Sequence, residues 1–159
     1  MGWKAAVMWK PTFISQMMAR WIEYDGILYT DADSVFRRRP GWDSLKDADF
    51  AYHKFRRSQH HNEEILTGTL FLANTPFMAE FVGRWIEETR NYAWSDTPEQ
   101  DSLKKTLESS PEPKVKDFGP EYCWIYDDFP PIYGKKDVVI EHFQASRTKK
   151  PEIGKTGSG

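Results

Sequence analysis

Two aspartates one residue apart, Asp31 and Asp33, follow directly on the apolar run "ILYT". In an open α/β sheet the strand ends line the crevice where ligands bind, so carboxylates placed there face a site rather than the core. On an extended backbone the two side chains emerge on one side, because side-chain direction alternates with period two. Converging carboxylates repel each other unless a cation lies between them. Oxygen donors suit a hard divalent ion, Mg²⁺ or Mn²⁺, above all where phosphate oxygens complete the shell. The plainer reading is that Asp31 caps a loop and Asp33 is solvated, as aspartates after strands often are. A DxD by itself leaves both readings open.

A second group of chemically capable residues lies near the other end of the chain. The apolar run "VVIEHF" delivers His142, and "QASRTKK" follows with Ser146, Arg147, Lys149 and Lys150. A histidine at a strand end can ligate a metal, and the cations after it can hold phosphate oxygens, arginine bidentately. Taken singly, His142 reads as a partly buried packing residue and the basic run as solvated surface. Taken with the DxD, they form a set able to hold a metal-bound diphosphate.

The elements that must position these residues are legible as periods. From Pro11 to Tyr24 the residues Phe13, Ile14, Met17, Met18, Trp21 and Ile22 recur at helical spacing, and Asp25-Gly26 ends the pattern before "ILYT". "DFAYH" reads as a strand, "HKFRRSQHHNEE" as a polar loop, and "TLFLA" as an apolar strand. Thr75-Pro76 has the form of an N-cap followed by proline at the first helical position, opening a strongly amphipathic helix. Thr97 and Gln100 have capping-box spacing at the start of another helix, with Leu103 and Leu107 as its buried stripe and "SSPEPK" as its end. "VVIEHF" is the last strand, and no apolar period remains in the tail. Strands alternating with helices predict an α/β sheet with helices packed on it.

Composition bounds the function classes. With 159 residues and a hydrophobic share of 39%, the chain can bury a core, and one domain over 1–150 with a flexible tail over 151–159 is expected. A formal charge of −2 argues against a chain built for polyanions, so nucleic acid is not an expected partner. Cys123, the single cysteine, has no internal partner, and neither a leader nor a membrane-length apolar run is seen. A cytoplasmic location without a membrane span is the expectation.

The ordered set "ILYTDADSVF", "ILTGTLFLANTPFMAEFVGRWIEE", "PEQDSL" and "VVIEHFQASRTKK", from about Lys10 to Lys150, resembles the nucleotide-diphospho-sugar transferases of the GT-A fold, the DxD-containing glycosyltransferases. The resemblance implies a Rossmann-like mixed sheet flanked by helices, a nucleotide-diphosphate sugar as donor, an acceptor, and Mn²⁺ or Mg²⁺ as cofactor. It implies that Asp33 coordinates the metal, that Asp31 touches the metal or the donor ribose, and that His142 is the third protein ligand. Gly68 and Thr69 match the segment lining the donor-sugar and acceptor pocket, and Arg147 and Lys149 would contact the diphosphate. Asp101, with Gln100 beside it, matches an acidic position near the reacting sugar carbon. A structural role stands equally for this pair, since Gln100 closes a capping box and Asp101 suits a helix N-terminus.

One departure from the family pattern bears on assembly. Only about twenty-five residues precede "ILYT", fewer than the roughly thirty that a βαβ unit needs. The expectation is a GT-A-like fold shortened at its N-terminus, read either as a fragment of a longer enzyme or as a short protein whose exposed sheet edge a homodimer or another partner would cover. Two other function classes compete. "ILYTDADSV" is also similar to the first motif of haloacid-dehalogenase-type phosphatases, with Asp31 as nucleophile, Asp33 as general acid, and Asp127 and Asp128 as a later acidic pair. That reading leaves "IEHFQASRTKK" unexplained. A non-catalytic nucleotide- or sugar-binding remnant is the third.

Overall fold

The apolar run after Asp25 forms the first strand, β1 (Gly26–Thr30), and its first residue must be glycine: a Cβ at position 26 would lie 2.7 Å from the Phe71 ring and 2.8 Å from the Leu72 carbonyl oxygen. The computed structural model describes residues 2–56, 63–109, 111, 113–125, 129 and 137–143, apart from the side chains of Trp3 and Ser44. β1 pairs antiparallel with β4 (Glu64–Ala73), β4 pairs antiparallel with β3 (Phe50–Phe55), and β3 pairs in parallel with β5 (Val115–Asp117). A second sheet has β7 (Ile140–His142) at its centre, antiparallel to β2 (Ser34–Phe36) and parallel to β6 (Trp124–Ile125).

Three helices cover one face of the main sheet: α1 (Trp3–Arg20), α2 (Pro76–Asn91) and α3 (Pro98–Ser109). Ile14 and Met18 of α1, Phe81 and Trp85 of α2 and Leu103 of α3 meet Phe50, Leu70 and Leu72 there in one buried cluster. Trp85 is fully buried, and its indole N–H donates to the Glu99 carbonyl and the Ser102 hydroxyl, both at 3.1 Å, so its polar edge is satisfied. On the opposite face Phe55 and Leu66 pack with Trp124, Ile125 and Phe129, which ties the second sheet to the first. The fold is thus mixed α/β, with open sheets flanked by helices, as the alternation of elements predicts.

The helix read from Pro11 to Tyr24 begins earlier and ends sooner, at Trp3 and Arg20, with Pro11 in its interior. Proline there removes one donor, the partner of the Val7 carbonyl, while the buried residues Ile14 and Met18 still fix the helix by tertiary packing. Its end is set from a distance: the Asn74 side-chain amide donates to the Met18 and Trp21 carbonyls at 3.2 and 2.8 Å. Thr75 caps α2 as read, its hydroxyl accepting from the Met78 N–H at 3.2 Å. At α3 the capping differs. The N–H groups of Gln100 and Asp101 reach the Thr97 carbonyl, and the Thr97 hydroxyl donates to Asp101 rather than accepting from Gln100. The segment read as a polar loop is strand at both ends, β3 extending through Phe55 and β4 starting at Glu64, and its residues 57–62 and the tail lie outside the described residues.

The ladder between β3 and β4 is irregular. β4 advances from Phe71 to Leu66 while β3 advances only from Ala51 to His53, so β4 bulges between those pairs. Leu70 and Leu72 face the helices, yet so do Ile65 and Thr67, although these have the opposite parity. The face reverses within the bulge at Gly68, and bulges of this kind re-aim side chains.

Candidate functional site

Asp31 is the residue at which β1 turns away. The Ser34 N–H donates to the Asp31 carbonyl at 3.1 Å and the Ser34 hydroxyl does so at 2.7 Å, closing a four-residue turn over Asp31–Ser34. The backbone there is a turn rather than an extended strand, so period two is not what brings the aspartates together. Ser34 then pairs with His142 across β2 and β7. As a result Asp31, Asp33 and His142 each offer one ligand atom, and these atoms lie within 4.8 Å of one another.

The bulge of β4 completes the cradle. The Asp31 N–H donates to the Gly68 carbonyl at 2.9 Å, and the Thr69 hydroxyl meets His142 Nε2 at 2.8 Å. With Nε2 so engaged, Nδ1 is the nitrogen left to face a ligand. A Cβ at position 68 would lie 3.3 Å from His142 Nδ1, 3.1 Å from its Cε1 and 3.5 Å from Asp31 Oδ2. Glycine therefore keeps open the space between imidazole and carboxylate. Burial pushes the His142 imidazole below its ordinary range, against the pull of Asp31 and Asp33, which favours the neutral form that ligates a cation. Two carboxylates and one imidazole whose ligand atoms lie within 4.8 Å of one another fit a divalent cation. Gly68→Ala is expected to weaken Mn²⁺ binding about tenfold or more, the scale of perturbed metal surroundings, with the circular dichroism spectrum unchanged; calorimetric titration reads it.

Sequence reasoning missed the residues behind this cradle. Lys10, on α1 and only 6% exposed, places Nζ 3.0 Å from Asp31 Oδ1 and 3.9 Å from Glu99 Oε1. It also donates to the Thr67 carbonyl and hydroxyl, both at 3.2 Å. The Tyr29 hydroxyl donates to the same Asp31 oxygen at 2.8 Å; burial and the neighbouring Asp31 raise its pKa, which keeps it a donor. Asp31 is thus divided, with Oδ1 held by Lys10 and Tyr29 and Oδ2 turned toward Gly68. Glu99 is buried, and burial raises its pKa while Lys10 opposes the rise. Its Oε1 accepts from the Thr67 hydroxyl at 3.3 Å, and its Oε2 is buried without a partner among the described residues. A buried carboxylate oxygen left unsatisfied is uncommon and marks a place for a donor.

Gly68 and Thr69 therefore stand at the cluster with Asp31, Asp33 and His142. Asp101 is held at the start of α3 by the hydroxyls of Ser95 and Thr97, and Gln100 precedes it, half-buried, in the same turn. The acid of that turn brought to Lys10 is Glu99. Arg147, Lys149, Asp127 and Asp128 lie outside the described residues. The one available signal for Lys10 was a lysine amid the apolar stretch "AAVMWKPTFI". For Glu99 there was none, since an acid in the first turn of a helix is ordinary.

No family profile and no curated protein matches the sequence. Among solved structures the fold is similar to a glycosyltransferase involved in the glycosylation of the major capsid of PBCV-1, with a TM-score of 0.69 and 18% sequence identity over 96% of this chain and 77% of that one. At that identity the likeness establishes the fold. Among the described residues no helix is long and apolar enough to cross a membrane.

Proposed function

We propose that this chain transfers a glycosyl group from a nucleoside-diphosphate sugar to an acceptor hydroxyl, with the donor's diphosphate held on Mn²⁺ or Mg²⁺ by Asp31, Asp33 and His142. The observation that carries this reading is the convergence of those three side chains within 4.8 Å of one another, with Gly68 keeping open the space between His142 and Asp31, in a fold shared with a glycosyltransferase. A divalent cation there would neutralise the charge that develops on the departing diphosphate oxygen. The protein's own part is positional. Lys10 and Tyr29 fix one oxygen of Asp31 and so aim the other. Glu99 Oε2, buried and unsatisfied, would accept a hydrogen bond from a hydroxyl of the donor sugar. Gln100 and Asp101, in the same turn, are assigned to the acceptor side, where the Asp101 carboxylate would take the proton of the attacking hydroxyl. Arg147 and Lys149 would add cationic contacts to the diphosphate.

The reading is tested by titrating the protein with a panel of nucleoside diphosphates in the presence and absence of Mn²⁺, following the fluorescence of its seven tryptophans. Saturable binding that requires the cation is the expected result. Absence of any response with either Mn²⁺ or Mg²⁺, by a protein shown to be folded, would overturn it.

A further inference from the structure

Thr69 is wholly buried in β4, within the apolar run "TLFLA", and its hydroxyl meets His142 Nε2 at 2.8 Å. Valine would have nearly the same shape there and would bury no hydroxyl, so the polar atom is costly unless its hydrogen bonds offset its desolvation. What it bonds to bears on the cation site. A neutral imidazole carries one proton, and the nitrogen that ligates a cation is the one without it. Gly68 keeps space open beside His142 Nδ1, on the side where Asp31 Oδ2 also lies. A cation taken by Nδ1 therefore needs the proton on Nε2, and an N–H on a ring only 4% exposed needs an acceptor. Among the described residues, the group set against Nε2 is the Thr69 hydroxyl.

A hydroxyl that accepts from Nε2–H must send its own hydrogen elsewhere. The buried Cys123 sulfur lies within hydrogen-bonding reach of both the Thr69 hydroxyl and the Thr69 N–H, and sulfur is a weak acceptor. The two partners of the hydroxyl are held by adjoining segments: Ile125 of β6, two residues beyond Cys123, pairs with His142 of β7. Resting on the proposed cation site, we infer that Thr69 is a positioning residue for His142: its hydroxyl accepts from Nε2–H and donates to the Cys123 sulfur, which holds the imidazole with the Nδ1 lone pair toward the cation. The same contact reversed, with Thr69 donating to Nε2, would put the proton on Nδ1 and close that nitrogen to a cation. The direction of one hydrogen bond thus decides whether Nδ1 can ligate. Losing such a partner at the other nitrogen of a ligating histidine costs roughly 10- to 100-fold in metal affinity.

The test compares the full chain with Thr69→Val, which keeps the shape and removes the hydroxyl, and with Thr69→Ser, which keeps the hydroxyl. Circular dichroism checks each fold, and calorimetry reads Mn²⁺ affinity. The position of the proton is read from long-range proton–nitrogen spectra of protein labelled at histidine and saturated with Mg²⁺, which is diamagnetic; the resonances of His142 are those lost in His142→Gln. The expected result is that wild type and Thr69→Ser carry the proton on Nε2 and bind Mn²⁺ equally well. Thr69→Val is expected to bind about tenfold more weakly or worse, with the proton no longer confined to Nε2. Mn²⁺ binding unchanged in Thr69→Val, or weakened alike in both variants, overturns the positioning role while the cation site stands. A proton on Nδ1 in the Mg²⁺-saturated wild type overturns it also, and decides the matter even if Thr69→Val does not fold. A folded wild type that binds neither Mn²⁺ nor Mg²⁺ removes the three-ligand site itself, and the role of Thr69 falls with it.

Discussion

Replacing Lys10 by methionine is expected to destabilise the protein by about 3 kcal/mol, near the lower end of what removing one partner of a buried ion pair costs. The lower end applies because Asp31, its nearer partner, has a side chain 34% exposed and so is partly screened by solvent. Glu99 has no such relief: it is 5% exposed and one of its oxygens already lacks a donor. The loss is expected to depend on pH in a defined direction. Burial raises the Glu99 pKa above its ordinary 4.5, and Lys10 is the strongest influence opposing that rise. Without Lys10 the folded-state pKa climbs further, so the folded state holds the proton more tightly than the unfolded chain does. The deficit relative to wild type should be small below pH 4.5 and should grow as pH rises through the folded-state value. Urea denaturation of both proteins at acid and neutral pH measures it. Adding Glu99→Gln to Lys10→Met should recover part of the loss at neutral pH, because it removes the stranded charge. A deficit independent of pH would show that the ammonium acts through packing alone.

Asp33→Asn is expected to lower Mn²⁺ affinity by at least about 100-fold, beyond the range seen when only the surroundings of a metal ligand are altered. The substitution keeps volume and removes a ligand charge, and Asp33 lies in a partly exposed turn outside the core. Stability should therefore change little. Nucleoside diphosphate binding should lose its dependence on the cation together with Mn²⁺ binding itself. Retention of tight Mn²⁺ binding by the folded variant would dismantle the three-ligand site. Loss of the fold would instead assign Asp33 a structural role. Comparing the variant with Gly68→Ala separates two ways of damaging the same cradle: Asn removes a ligand charge, whereas Ala fills the space between His142 and Asp31 with a methyl group.

Some of this architecture is legible from residue order alone. Thr75-Pro76 announces α2 because a hydroxyl cap and a proline at the first helical position act within one turn of the chain. β1 and the second half of β4, "TLFLA", are legible as apolar runs, and the placement of Asp31 follows from the end of such a run, whereas the first half of β4 is not legible. Local chemistry and short periods are enough for these. β5 and β6 are not legible, since three exposed residues and a two-residue strand carry no period, and each exists only because another strand lies beside it. The start of α1 is misplaced by sequence reasoning because a proline normally opens a helix, and here packing of Ile14 and Met18 outweighs one lost hydrogen bond.

The site divides along the same line. Its aspartates and histidine can be named from residue type and strand ends, but not the turn that makes the aspartates converge, which the Ser34 bonds to Asp31 close. The bulge that sends Thr67 to one face of the sheet and Thr69 to the other arises from a register shift between β3 and β4, a property of two strands rather than of either. Lys10 and Glu99 are the clearest case. They stand far apart in the chain, on two helices; the apolar neighbours of Lys10 are the one local signal, and Glu99 reads as an ordinary charge in the first turn of a helix. Only the packing of α1 and α3 over β4 buries both charges beside Asp31, and the electrostatics that give them a role arise from that burial.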